Sequence, residues 1–220
     1  MPDTPAHDCA LCPRLAGFRA ENRARFPDWH NGPVRCFGPL DGRLLVLGLA
    51  PGLRGANRTG RPFTGDYAGR LLYDTLIKFD FATGRYEERP DDTLEPKNCR
   101  IVNAVRCVPP ENKPLPVEIA ACNRFLAAEI AAMPNLRAIL ALGVVAHQAA
   151  LRTHGLKQSF AKFAHGATHV LPTGVLLADS FHVSRYNTST RRLTAAMFET
   201  VVASLDRYLN ETITIPAPHG

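Results

Sequence analysis

Residues 48–69 read GLAPGLRGANRTGRPFTGDYAG, a stretch with six glycines, two prolines and three arginines. Such a composition builds a backbone surface and not a core. Glycine admits positive φ and lets another molecule approach the main chain, while Pro51 and Pro62 fix the path locally. RLLVLGL (43–49) precedes it as a short apolar run with strand character, and LLYDTLIKF (71–79) follows with apolar positions at helical spacing. Strand, glycine-rich loop and helix, in that order, are how open α/β proteins place a ligand at a strand's carboxyl end.

The same alternation continues outward. RIVNAV (100–105), RAILALG (137–143) and GVLLADSFH (174–182) read as three more strands, and 118–133 and 144–154 as helices. A long amphipathic helix closes the chain, marked by Leu193, Met197, Val201, Leu205 and Leu209 at four-residue steps. Four strands each followed by a helix predict an α/β fold, a parallel sheet covered on both faces. Its carboxyl edge would gather the loop 48–69, Asn103 to Cys107, Gly143 and His182. The polar segment 84–98 reads as a surface loop, and VPPENKPLP (108–116) is too rich in proline for regular structure. Residues 9–30 give a basic helical stretch with Leu15, Phe18 and Phe26 available for packing.

At 220 residues and 45% hydrophobic, the chain can bury one core and reads as a single domain, 1–220. Residues 1–35 form an N-terminal segment of it and 211–220 a loose tail. A formal net charge of +6 suits a polyanionic partner. Neither a signal pattern nor a membrane-length apolar run is present, so a cytoplasmic protein with no membrane partner is expected. Six cysteines in a reducing compartment are poor disulfide candidates. Cys9, Cys12, Cys107 and Cys122, spaced C-x2-C and C-x14-C, can converge if the N-terminal segment folds back on the helix after the second strand. Thiolates hold zinc and iron–sulfur clusters alike, and the spacing does not choose between them. Cys36 and Cys99 stand apart.

His182 follows a strand and is itself followed by Ser184, Arg185 and Asn187, a loop of donors and cations at the ligand edge. His147, inside a helix among Val145, Ala146 and Ala149, reads as a packing residue. Asp66 stands where an N-cap is preferred, and a capped carboxylate at a loop edge is also well oriented to polarise a water or face a developing cation. Arg191 and Arg192 are placed at the start of the last helix, where the macrodipole disfavours cations unless an anion comes from outside. With Arg185 they outline a phosphate contact.

The loop 48–69, the segment NAVRCVPPENKP and HVSRYNTSTRRLT together resemble the family 5, or type B, uracil-DNA glycosylases. The resemblance runs over most of the chain. It implies a monofunctional DNA glycosylase, a base-excision-repair enzyme acting on uracil and other deaminated bases in DNA. It further implies a three-layer α/β/α sandwich around a four-stranded parallel sheet and a [4Fe–4S] cluster, with Cys9, Cys12, Cys107 and Cys122 matching the ligands. The wider superfamily usually carries a carboxylate or asparagine two residues after the first glycine of this loop; here that position is Ala50, a departure characteristic of type B. Asp66 is the substitute the resemblance proposes, with His182 as the second-motif histidine and Asn187 as its polar partner. Gly48, Ala50, Pro51 and Gly52 then wall the base site, Phe63 stacks on the extruded base, and Asn103 lies where other branches keep a uracil-reading asparagine. The protein is expected to act as a monomer, associated with the nucleoid.

Two other classes share parts of this pattern. A non-catalytic nucleic-acid-binding protein with a structural metal shares the charge and the cysteines, but gives Asp66 and His182 no reason to meet. A hydrolase of free nucleotides would use the glycine-rich loop to cradle phosphate.

Overall fold

The apolar run ahead of the glycine-rich loop forms strand β1 (Leu44–Gly48), and all five of its residues are buried. Leu44 and Val46 face one core, Leu45 and Leu47 the other, because a strand sends successive side chains to opposite faces. A computed structural model describes residues 2–211; the expected loose tail falls, from 212 on, outside the described residues. The other strands are β2 (Ala82–Thr83), β3 (Glu95–Pro96), β4 (Cys99–Asn103), β5 (Ala138–Leu142), β6 (Thr168–Val170) and β7 (Leu176–Ser180). The helices are α1 (Pro13–Arg25), α2 (Ala56–Thr59), α3 (Tyr67–Lys78), α4 (Pro116–Ala131), α5 (Val144–Thr153), α6 (Arg185–Ser189) and α7 (Ala195–Asn210).

The central sheet runs β4-β1-β5-β7-β6, with the first four strands parallel. Leu72, Tyr73 and Leu76 of α3 and Phe198, Val202 and Leu205 of α7 cover the face of Leu44 and Val46. Leu126 of α4 and Ala146, Ala150 and Leu151 of α5 cover the opposite face. The three layers are therefore as expected. The four-stranded sheet, however, gains a fifth strand: β6 pairs antiparallel with β7 at the edge. Its three residues are too few to display a period-2 pattern, and Thr168 and Val170 are exposed.

Residues 84–98 are more than a surface loop. Their flanks pair as β2 and β3, Leu94 is buried, and the Asp92 carboxylate is buried in a two-pronged pair with Arg61 at 2.7 and 2.8 Å. Arg191 and Arg192 precede the last helix instead of starting it, because Thr194 is the N-cap, its Oγ1 accepting from Met197 N at 3.2 Å. At the other end of α7, Arg43 and Arg137, just before β1 and β5, both donate to the Leu209 carbonyl, at 2.6 and 3.0 Å. Helix α1 is fastened to α4 by Arg14, which grips the buried Glu118 carboxylate with two bonds of 2.8 Å. Cys99 packs inside β4, and Cys36 faces the buried guanidinium of Arg106.

Phe198 is fully buried between α7 and the sheet. Phe198→Ala is expected to cost about 3–5 kcal/mol and to lower the thermal midpoint by roughly 10 °C, read by circular dichroism.

Candidate active site

The parallel register sets Gly48, the last residue of β1, beside Asn103, the last of β4. A β-carbon on Gly48 would stand 2.4 Å from Asn103 Oδ1 and 2.5 Å from Phe63 Cζ, so only glycine lets these two side chains close over the strand end. Phe63 itself takes φ 51°, a left-handed conformation that a bulky residue adopts only when held. Three groups hold it. Tyr86 Oη donates to Phe63 O at 3.0 Å, Tyr73 Oη donates to Pro62 O at 2.5 Å, and Arg61 Nε donates to Thr64 Oγ1 at 2.8 Å.

Past this turn, Asp66 caps α3, its Oδ1 accepting from Ala68 N at 3.1 Å. The carboxylate lies against the glycine-rich backbone: a β-carbon on Gly55 would be 2.2 Å from Asp66 Oδ2. Burial pushes the Asp66 carboxyl above its ordinary value, and the Ala68 and Gly69 N–H groups offset this only in part. Opposite, His182 comes off the carboxyl end of β7, its ring 6.0 Å from that of Phe63 and inclined by 29°. Burial lowers its pKa to about 4, so the ring is neutral at physiological pH.

These groups line one cleft of about 390 Å³ at the carboxyl edge of the sheet, together with Ala50, Gly52, Tyr67, Asn103, Asn112, Ser184 and Arg185. Gly48 lies beneath the closed Phe63 and Asn103 side chains, and Pro51 is buried under the loop; neither lines the cleft. Asn187 is not on the wall either: its amide donates to the His182 carbonyl at 2.8 Å, so it holds the loop that carries the histidine. Arg191 and Arg192 are exposed beyond α6, the latter over the ring of Phe181 at 4.6 Å. His147 is buried, as a packing residue should be, yet both of its ring nitrogens meet acceptors.

Asn112 was not legible as a cleft residue. It stands in the middle of the proline-rich segment, where Glu111 and Asn112 take φ 54° and 56° in succession beside the cleft. Asparagine's tolerance of that conformation is the one sequence signal that could have marked it. Tyr73 and Tyr86, which hold the Phe63 turn, carried none.

The four cysteines converge as the spacing allowed. Cys9, Cys12, Cys107 and Cys122 border one small void with Leu15, Val105 and Phe125. Burial pushes the Cys122 thiol up to about 11 and raises those of Cys12 and Cys107, so by themselves these thiols stay protonated; a bound cation turns such thiols into ligands. Arg106 N, 3.4 Å from Cys122 Sγ, and Arg19 Nη1, 3.6 Å from Cys107 Sγ, supply donors suited to thiolates. Ala50 packs against this apolar nest and also lines the cleft, so the two sites share a wall.

An α/β/α sandwich thus brings an aromatic ring, a capped carboxylate and a neutral histidine around one strand-edge cleft. A family profile described as the uracil DNA glycosylase superfamily matches residues 36–206, and the chain belongs to that superfamily. Within it the likeness is to type-5 proteins. The chain is 44% identical over 205 residues to the type-5 uracil-DNA glycosylase of Thermus thermophilus, covering 90% of this chain and 93% of that one. It is 40% identical to that of Mycobacterium bovis (88% and 75% covered) and 38% identical to that of Pyrobaculum aerophilum (85% and 83%).

The raised Asp66 pKa has a stability consequence with a definite sign. A carboxyl whose folded pKa lies above its unfolded one costs stability above the folded pKa, and nothing below the unfolded value. Asparagine caps helices as well as aspartate. Asp66→Asn is therefore expected to raise the thermal midpoint near neutral pH, and this gain should vanish as pH falls below the usual carboxylate range of about 4, measured by differential scanning fluorimetry against pH.

Proposed function

We propose that this chain is a monofunctional uracil-DNA glycosylase that hydrolyses the N-glycosidic bond of uracil in DNA, initiating base excision repair, and that it also accepts hypoxanthine and xanthine. The observation that carries the proposal is the meeting of neutral His182, Phe63 and capped Asp66 on one cleft, in a chain so similar to the type-5 enzymes. The target nucleotide leaves the stack at a cost of a few kcal/mol, least for mispaired or deaminated bases. The extruded base lies on Phe63, and Arg185, Arg191 and Arg192 hold the bent strand through phosphates. As the glycosidic bond breaks, the base gains negative charge and the sugar becomes cation-like. Neutral His182 donates a hydrogen bond to uracil O2, with loop amides near Ala50 and Gly52 assisting. Asp66, held by the α3 cap, orients the attacking water beside the sugar carbon and takes its proton; burial makes it a better base. Asn187 positions the His182 loop, and Asn103 and Asn112 offer amides to the base edge. Ala50 adds no polar group to the cleft wall, which supports acceptance of purines as well as a pyrimidine.

We further propose that Cys9, Cys12, Cys107 and Cys122 hold a [4Fe–4S] cluster. The likeness to type-5 proteins supports a cluster, and the four thiols border one small void with the Arg106 N–H and the Arg19 guanidinium as donors beside them. The cluster's part is structural, to fasten the N-terminal segment and the proline-rich segment that carries Asn112. The protein works as a monomer on DNA at the nucleoid.

Oligonucleotides containing uracil, hypoxanthine or xanthine, incubated with protein and cleaved by alkali, test the activity. Wild type should yield cleaved strands with all three bases, and His182→Ala and Asp66→Ala should each lose about 3 kcal/mol of transition-state stabilisation, roughly a hundredfold. Intact strands in every lane leave only binding, and activity confined to mononucleotides indicates a nucleotide hydrolase. The single-turnover rate should show no inflection near the ordinary histidine value of about 6.5, because His182 stays neutral down to about 4. Its acid limb should instead follow protonation of Asp66 and shift in Asp66→Glu. For the cluster, Cys122→Ala should lower iron content and thermal midpoint together, read by metal analysis and melting; an iron-free variant of unchanged stability refutes the structural role.

A further inference from the structure

Away from the cleft, three side chains from three elements converge. His147 of α5, His169 of β6 and Asp179 of β7 each offer a ligand atom, all within 4.8 Å of one another. Two of these atoms have no hydrogen-bond partner among the described residues: Asp179 Oδ2, on a side chain with no exposed surface, and His169 Nε2, which lies 3.7 Å from it. A buried carboxylate oxygen without a donor costs free energy that the fold would normally avoid.

His147 sharpens the point. Its Nε2 lies 3.1 Å from the Ala161 carbonyl and its Nδ1 2.8 Å from Asp179 Oδ1. A neutral imidazole has one N–H. Given to the carbonyl, it leaves the Nδ1 lone pair facing a carboxylate, two acceptors that a second proton on the ring or a bound cation must bridge. An Nε2–H fixed on a backbone carbonyl with Nδ1 free is, however, the arrangement in which histidine serves as a metal ligand. The edge strand explains how the third ligand could adjust: His169 is half-buried and its neighbours Thr168 and Val170 are exposed.

We propose that His147, His169 and Asp179 form a binding site for a borderline divalent cation, zinc by the match of ligand chemistry. Two imidazoles and one carboxylate are the donor set zinc takes with a fourth position left to water. Magnesium and calcium, which demand oxygen ligands, fit it poorly. None of the four cysteines takes part. The ion ties α5 and β6 to β7, the strand that delivers His182 three residues beyond Asp179.

The test uses full-length protein with its cysteine site as purified, dialysed against EDTA and then titrated with zinc chloride. Wild type should take up one more equivalent of zinc than His169→Ala, by metal analysis after gel filtration. Zinc should raise the thermal midpoint of wild type by several degrees more than that of the variant, and without zinc the two should melt alike. His169→Gln, which keeps the side-chain bulk, should lose the same equivalent and covers the case in which the alanine variant does not fold. Comparing variants removes any zinc taken up by the cysteines. Equal zinc uptake by wild type and both variants, or none by any of them, overturns the site and leaves His147 and Asp179 sharing a proton.

Discussion

Between the ends of β1 and β4 there is room for a hydrogen atom and nothing larger. At Gly48 the side chains of Asn103 and Phe63 come within 2.4 and 2.5 Å of where a β-carbon would sit. Phe63 sits over the strand end there, in a left-handed turn with φ 51°. The strain is carried by neighbours: the Tyr86 and Tyr73 hydroxyls on the backbone, and Arg61, itself braced by buried Asp92. Asp66 follows three residues later and inherits its position from the same turn. The strand end, the Phe63 ring and the Asp66 carboxylate thus meet at one steric condition.

Much of this was legible in the chain. The four parallel strands announce themselves as apolar runs because both faces are covered, and the glycine-rich loop marks the ligand edge. Asp66 and His182 could be picked from their places at a helix start and a strand end, and the four cysteines from their spacing. The misses have physical reasons. Strand β6 contributes three residues to an edge, and β2 and β3 two each, below the length at which periodicity exists. Helix α7 starts a few residues later than the arginines, because Thr194 is its cap. Asn112 hid in a proline-rich segment, where nothing in the sequence says which side chain turns inward. The tyrosines behind Phe63 act through hydroxyl contacts across 11 and 23 residues, which no local pattern encodes.

The cysteine nest looked remote in sequence and is not remote in space. Ala50 lines the cleft on one side and packs on the other against the small cluster that Leu15, Val105, Cys122 and Phe125 form. Cys107 stands five residues before Asn112 and at the head of the proline-rich segment. Whatever fixes the sulfurs therefore also fixes one wall of the cleft and the approach of one of its amides. The nest and the cleft thus touch through packing at Ala50.

The two arginines on the Leu209 carbonyl settle the direction of α7: its negative end is neutralised at the amino-terminal edge of the sheet, so its positive end points the other way. Helix α5 begins just past the carboxyl end of β5, and α3 begins at Asp66 on the wall of the cleft. Each contributes roughly half an elementary charge at its start. The positive ends of these helices therefore lie on the side on which the cleft opens, and the paired arginines at the negative end of α7 lie on the other.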